Sequence, residues 1–416
     1  MNEPIFIARQ DTLEQEILPA HWLSQYKLFG EESYTFQDKE IWKKLCMSRA
    51  AANDRDMHAE ALEEMLTTFS AEHTGKWMLT VYGMDAAVLE GLASMAAIAA
   101  NGTAMAAVAG NALLMHAITN SETAMQAISR SQTAMQRVAT STTVMDAISG
   151  SKSARDAVQA SPYYNSYIKE NDMAIAKLAV ALASLESAGY SGMAGVAADS
   201  TAMNAVAASA VARNAISASP YYDAKIKEND MAIAKLVVGF VNLESARYSG
   251  CAGMAADSTA MTAVAASSTA MTAVAASGVA LQAIAKAYKQ TADMLKFLQA
   301  VNASDTLIKS IYNTLTKATT LFAAAQLGAQ DDVASANSWA TTSAAPNAFL
   351  ACACGYYSSG NSVNVTYNGT VIAQKKTGTK QPGSVASTNV NAITMAPSTF
   401  TENGDGYLAV QKFTAK

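Results

Sequence analysis

The residues best equipped for chemistry are few and scattered. Glu402 and Asp405 lie in Thr-Glu-Asn-Gly-Asp-Gly, and a carboxylate pair can hydrolyse a glycosidic bond. The flanking Gly404 and Gly406 mark the same segment first as a turn. His58-Ala-Glu60 and the pair Glu63, Glu64 fall on one amphipathic stretch and read as a solvated helix face. His116 replaces an ordinary repeat residue and reads as surface or filler. Cys352 and Cys354, two residues apart, turn their thiols to one face of a strand. With only four histidines in the chain and no second close cysteine pair, zinc is not expected. Cys46 and Cys251 stand alone and read as small buried thiols. No Walker loop, Gly-x-Gly-x-x-Gly, His-Glu-x-x-His or Gly-x-Ser-x-Gly occurs. The expectation is a protein that is not an enzyme, with no cofactor and no metal.

Composition narrows the class. Half of the 416 residues are apolar, but aromatics are 7% and charged residues 15%. Much of the apolar share is alanine, which buries little area per residue, so stacked or extended helices suit the chain better than one deep core. The net charge is −5, without the basic footprint of a nucleic-acid binder. No apolar run reaches the 18 residues of a membrane span, and the best stretches, 173–183 and 231–241, contain Lys177 and Lys235. The start, Met-Asn-Glu-Pro, has no signal-peptide pattern. A soluble protein made in a reducing cytoplasm is expected.

The elements that would carry these residues follow a ten-residue beat. Met95, Met105, Met115, Met125, Met135 and Met145 are each followed three places on by Ile98, Val108, Ile118, Ile128, Val138 and Ile148. Ten residues of continuous helix turn through about 1000°, roughly 80° short of three turns, so the Met/Val stripe would circle a long helix. Alanine and methionine suit strands poorly. A break in every unit solves the problem: Ser or Thr caps a helix of about two turns, with Met and Val/Ile on one face. Such units pile up as an array whose members touch mainly their neighbours.

A larger duplication follows. Residues 161–209 match 219–267 at 37 of 49 positions, 58 residues apart. Each copy opens Ser-Pro-Tyr-Tyr. Tyr164, Ile168, Asn171, Ile175, Leu178, Leu182 and Leu185 alternate spacings of four and three. Tyr222, Ile226, Asn229, Ile233, Leu236, Phe240 and Leu243 do the same. That spacing predicts a long helix in each copy, ending near Gly189 and Arg247, with a heptad seam inside an oligomeric bundle. Asn171 and Asn229 are then either register-setting residues or polar residues facing solvent or a neighbouring loop. Leu281, Ile284, Tyr288, Leu295 and Leu298, then Ile308, Ile311, Leu315 and Phe322, predict a coiled coil or helical hairpin with a slip near 302–305, a cap at Ser304 or Asp305, and a stop at Gly328.

The domains read as a mostly helical globular piece over 1–85, with helices at 40–46 and 58–69 and with Ile5-Phe-Ile as either a strand or an arm that inserts into a partner. Decapeptide short helices occupy 86–160, and the two long-helix copies occupy 161–218 and 219–280. A coiled segment covers 281–334 and a β-rich tip 335–416. In the tip, 362–367 and 370–374 around Asn368-Gly369 predict a hairpin, with further strands at 348–356, 389–395 and 407–413. The fold class is mainly α with a small antiparallel β-sandwich at the C-terminal side. Tyr356, Tyr357 and Tyr367 are candidate contacts for a receptor.

This layout, with its Ser-x-Thr-Ala-Met-x-Ala-Val-Ala units over roughly 90–280, resembles fibre or appendage proteins of tailed bacteriophages. The resemblance implies a structural virion component assembled in the host bacterial cytoplasm, a homotrimer, an N-terminal piece bound to other virion proteins, and a C-terminal domain that meets a glycan or protein of the bacterial surface. A whisker, collar or head or tail decoration that binds only virion proteins, and a bacterial adhesin, are the alternatives.

Overall fold

The computed structural model describes residues 55–68, 74–75, 78, 82–89, 91–287, 292–331, 339–340, 347–356, 362–375, 384–403 and 406–416. The readings on Ile5-Phe-Ile, 40–46, Cys46, Tyr288, Tyr357 and Asp405 lie outside these residues. The chain is mainly helical with a small antiparallel β region towards its C-terminal end. It divides into two compact units, Met1–Met193 with Ala218–Pro220, and Ala194–Ser217 with Tyr221–Lys416.

In the first unit, α1 (Arg55–Thr68) precedes a run of short helices. These are α2 (Met95–Ala100), α3 (Gly102–Ala109), α4 (Ala112–Thr119), α5 (Glu122–Ser129), α6 (Gln132–Thr140), α7 (Thr142–Gly150) and α8 (Lys152–Gln159). Each is one decapeptide, capped by Ser as expected in five of the seven and by Asn101 and Asn111 in the other two. Ser94, Asn101, Asn111, Ser121, Ser131, Ser141 and Ser151 hold extended backbone, and their side-chain oxygens accept backbone N–H groups of the first turn. A cap of this kind contributes about 1 kcal/mol.

The units do not pile end to end. Between α3 and α4 the axis bends by 103°, so three helices bring the chain round. Consequently α2 packs on α5, α3 on α6, α4 on α7 and α5 on α8. The same three positions of each unit go inside: Ala104, Met105 and Val108, then Leu114, Met115 and Ile118, and so on to Val144, Met145 and Ile148, all at most 1% exposed. Burying one Met and one Val or Ile contributes about 4 kcal/mol per unit before chain entropy is subtracted. Several capping serines also bridge successive coils. Ser131 accepts from Ala134 N and donates to Ala99 O at 2.7 Å, and Ser151 repeats this with Ala154 N and Thr119 O at 2.7 Å.

The duplicated segment departs from the expected long helix. In copy one a π-helical turn, Tyr164–Ile168, is followed by α9 (Asp172–Leu182). Asn171 is neither a seam residue nor solvent-facing: its side chain N-caps α9, accepting from Ala174 N at 3.0 Å. The helix stops at Leu182, short of Gly189, in a Schellman motif. Leu185 N donates to Val180 O and Ser184 N to Ala181 O, with Ser184 at φ 61°. Ile168 and Leu178 are buried in the core of their own unit, and Ile175 is fully buried as well. The single long helix expected to carry a heptad seam through Tyr164, Leu182 and Leu185 is therefore broken after Ile168 and ends at Leu182.

In the second unit, α10 (Met193–Ala198) straddles the boundary, and α11 (Ser200–Ala208) and α12 (Ala210–Ser217) follow. Copy two then repeats the pattern: a π-turn at Tyr222–Ile226, the cap Asn229, α13 (Asp230–Phe240) and a Schellman end with Asn242 at φ 56°. Ile233 is buried in the core of its unit, and Ile226 and Leu236 are fully buried as well. Then come α14 (Cys251–Ala256), α15 (Ser258–Ala265), α16 (Ser268–Ala275), α17 (Gly278–Lys286), α18 (Ala292–Asn302) and α19 (Asp305–Lys317). Stacking continues by threes, with α13 on α16, α14 on α17, α15 on α18 and α16 on α19. Ser304 caps α19 as expected. The helix ends at Lys317, and Phe322 and Gly328 lie in a strand, which replaces the continued coiled coil.

The strands are β1 (Phe322–Asp331), β2 (Trp339–Ala340), β3 (Ala348–Tyr356), β4 (Ser362–Tyr367), β5 (Thr370–Lys375), β6 (Ala392–Met395), β7 (Ser398–Asn403) and β8 (Gly406–Ala415). They form two antiparallel sheets, ordered β1-β8-β3-β6 and β2-β7-β4-β5. Asn368 and Gly369, both at positive φ, make the β4–β5 turn. The sandwich is not a separate tip. Residues 348–354 of β3 are buried on both faces, and one continuous core runs from Ile233 through the last helices to Phe413. Tyr312 of α19 fixes the join by donating to Val385 O at 3.0 Å, with its ring edge-on to Phe413.

Candidate functional site

The residues whose chemistry the fold most constrains form one arrangement, built twice. In α9, Lys177 sits in an otherwise apolar helix and is 1% exposed. Its Nζ donates to Asp146 Oδ1 of α7 at 2.6 Å and to the carbonyls of Ser187 and Ala188 at 3.2 and 3.3 Å. One ammonium thus ties a helix to the coil before it and to the loop after it. In copy two, Lys235 of α13 is equally buried and donates to Asn204 Oδ1 of α11 at 2.6 Å and to Ser245 O at 3.3 Å. Its partner is a neutral amide, and burial pulls the Lys235 pKa below its ordinary value.

The aspartate after each cap completes the module. Asp172 accepts from Met193 N at 2.8 Å, and Asp230 accepts from Cys251 N at 3.1 Å, each holding the start of the next helix. Gly192 and Gly250 lie so close to these carboxylates that a Cβ at either would clash with Asp172 Oδ2 or Asp230 Oδ2. Downstream, Asp257 caps α15 and receives Arg247 and the Tyr248 hydroxyl. The Ala260 N–H bond above all, with those two groups, lowers its pKa.

The second unit also carries an open groove of about 800 Å³ between its π-turn and the exposed face of α19. Asp223, Lys227 and Glu228 line one side; Lys309, Asn313 and Lys317 line the other. Lys227 is paired with Asp223 at 2.7 Å and lies over the Tyr222 ring. Burial, reinforced by Asp223, pushes the Tyr222 hydroxyl up to about 12. Amines, amides and hydroxyls here can hold a polar ligand by charge and hydrogen bonds. No cluster of three metal-ligating side chains occurs among the described residues.

The other sequence candidates are placed as follows. Tyr367, taken as a receptor contact, is fully buried in the sandwich. Tyr356 ends β3. His58 is not on a solvated face: it is buried, with Nδ1 3.3 Å from the Tyr82 hydroxyl. Glu63 is not free either. Its carboxylate accepts from Ser121 Oγ, Thr123 N and Thr123 Oγ1 and closes the start of α5. His116 is half-buried beside Asn120. Cys251, Cys352 and Cys354 are buried and form no disulfide, and burial raises the pKa of Cys251 and Cys352. Lys177 and Lys235 were missed as structural residues. Their signal was a lysine at the centre of the same apolar stretch in both copies.

No protein-family model matches the chain, and a search of curated proteins returns no match.

Proposed function

We propose that this protein is a structural component of a tailed-phage virion, an appendage whose repeat array acts as a spacer and whose β-sandwich meets the host surface. The N-terminal segment is then the part that joins other virion proteins. The stacking of each short helix on the third one after it carries the reading. In such an array every unit meets only near neighbours, so length changes by duplication without redesign, and the 58-residue copies are one such step. The capping and bridging roles of Ser131, Ser151, Lys177 and Lys235 fit a scaffold better than a catalyst.

Two measurements test it. Antibody against the full chain should decorate phage particles in electron micrographs, and the purified full chain should compete with phage for adsorption to host cells. Undecorated particles would refute the virion assignment. Decoration without competition would move the protein to the whisker, collar or decoration role.

A further inference from the structure

The sheet β1-β8-β3-β6 has two outer strands, and the chain treats them differently. At β6 the amide side chain of Asn302 donates to Ile393 O at 2.6 Å and accepts from Ile393 N at 3.0 Å, standing in for a neighbouring strand. At β1, nine residues pair with β8 alone among the described strands, and Leu327 is passed over at a register shift.

The direction of the free backbone groups follows from the ladder. Ala415 N donates to Asn347 O, on the β3 side of β8. Backbone groups alternate sides along an antiparallel strand, so Thr414 and Lys412 turn towards β1. Their partners Ala323 and Ala325 turn towards β8. Ala324 and Gln326 therefore aim their N–H and C=O groups away from the sheet.

Among the described residues this edge is only thinly protected, by a register shift between Gln326 and Gly328 and by Asp331 at the strand's end. Charges, prolines and covering elements keep outer strands from pairing with other chains, yet residues 322–330 (Phe-Ala-Ala-Ala-Gln-Leu-Gly-Ala-Gln) contain neither charge nor proline. Ala323, Ala324, Ala325, Gln326 and Leu327 are all exposed, so neither face of this stretch is under the core. A neutral, small-residue ribbon gives a charged partner strand nothing to pair with. It is complementary to another ribbon of the same kind.

We propose that β1 is a self-association edge: two copies of the chain join β1 to β1, antiparallel about a two-fold axis near Ala325. Ala324 of one copy then bonds with Gln326 of the other, and two four-stranded sheets become one continuous sheet. This inference does not depend on the proposed virion role.

Sedimentation of the full-length protein tests it. The wild type should have twice the mass of the chain. Ala324→Pro removes one outward N–H and leaves the β8 ladder intact, a position where an edge strand tolerates proline; it should halve the mass with unchanged circular dichroism. Leu327→Lys, at an exposed side chain, should do the same. A monomeric wild type, an odd-numbered assembly, or a dimer that survives both substitutions would overturn the proposal.

Discussion

Lys235 donates to Asn204 Oδ1 at 2.6 Å, in the place where, 58 residues earlier, Lys177 meets the carboxylate of Asp146 at the same distance. The two copies share a clamp and differ in its charge. A hydrogen bond to a charged partner contributes more than one between a charge and a neutral amide. Asn204→Asp should therefore stabilise the second unit by about 1 kcal/mol, and Asp146→Asn should weaken the first by a similar amount. Urea unfolding of the full chain, followed by hydrogen exchange in each unit, reads both changes.

The same asymmetry gives a pH signature. Burial lowers the Lys235 pKa from its ordinary 10.5. Between the lowered value and 10.5 the unfolded chain binds more protons than the folded one, so the folded state gains stability as pH rises through that window. Below the window the cost of burying a charged ammonium is felt in full. The stability of wild type relative to Lys235→Met should rise with pH, and in the Asn204→Asp background the rise should shrink. A flat difference would show that Lys235 keeps its solution pKa.

Serines that cap and serines that both cap and bridge are separable. Ser141 only caps α7, whereas Ser131 caps α6 and also donates to Ala99 O. Ser131→Ala should cost about 1 kcal/mol more than Ser141→Ala, the net value of the extra hydrogen bond. Equal losses in denaturant unfolding would remove the bridging role.

The Schellman ends of α9 and α13 place Ser184 and Asn242 at φ 61° and 56°. Asparagine tolerates this left-handed region better than serine, and glycine best of all. Ser184→Gly should raise stability by roughly 1 kcal/mol, and Asn242→Gly by clearly less. Thermal unfolding of the two variants makes the comparison.

Much of this was legible in the sequence. The mismatch between ten residues and the helical turn, with Ser or Thr at most joins, predicts the capped short helices, although Asn101 and Asn111 take the cap at two of them. The Asn-Gly turn and period-two alternation predict β4 and β5. What was misread had two competing explanations at short range. Asn171 fits both a four–three heptad and an N-cap, and the Asn-Asp start of α9 decides for the cap because the first-turn N–H groups need an acceptor. Phe322-Ala-Ala-Ala-Gln-Leu has good helix propensity, yet pairing with β8, about ninety residues on, overrides it. The three-to-a-coil stacking depends on bends such as the 103° between α3 and α4, which no single decapeptide encodes. The lysine clamps join residues 31 apart, a spacing that only the coil reveals.

The central claim is that each decapeptide lies on the third one after it. A Cβ built on Gly102 would sit 3.6 Å from Thr133 Cγ2, whereas helices laid end to end would separate residues 102 and 133 by roughly 45 Å. In a background without the native cysteines, Gly102→Cys with Thr133→Cys should oxidise to a disulfide identified by peptide mapping. A control pair joining residue 102 to residue 123, two units on, should stay reduced. Failure of the 102–133 pair to close, or closure of the control in its place, would contradict the coil.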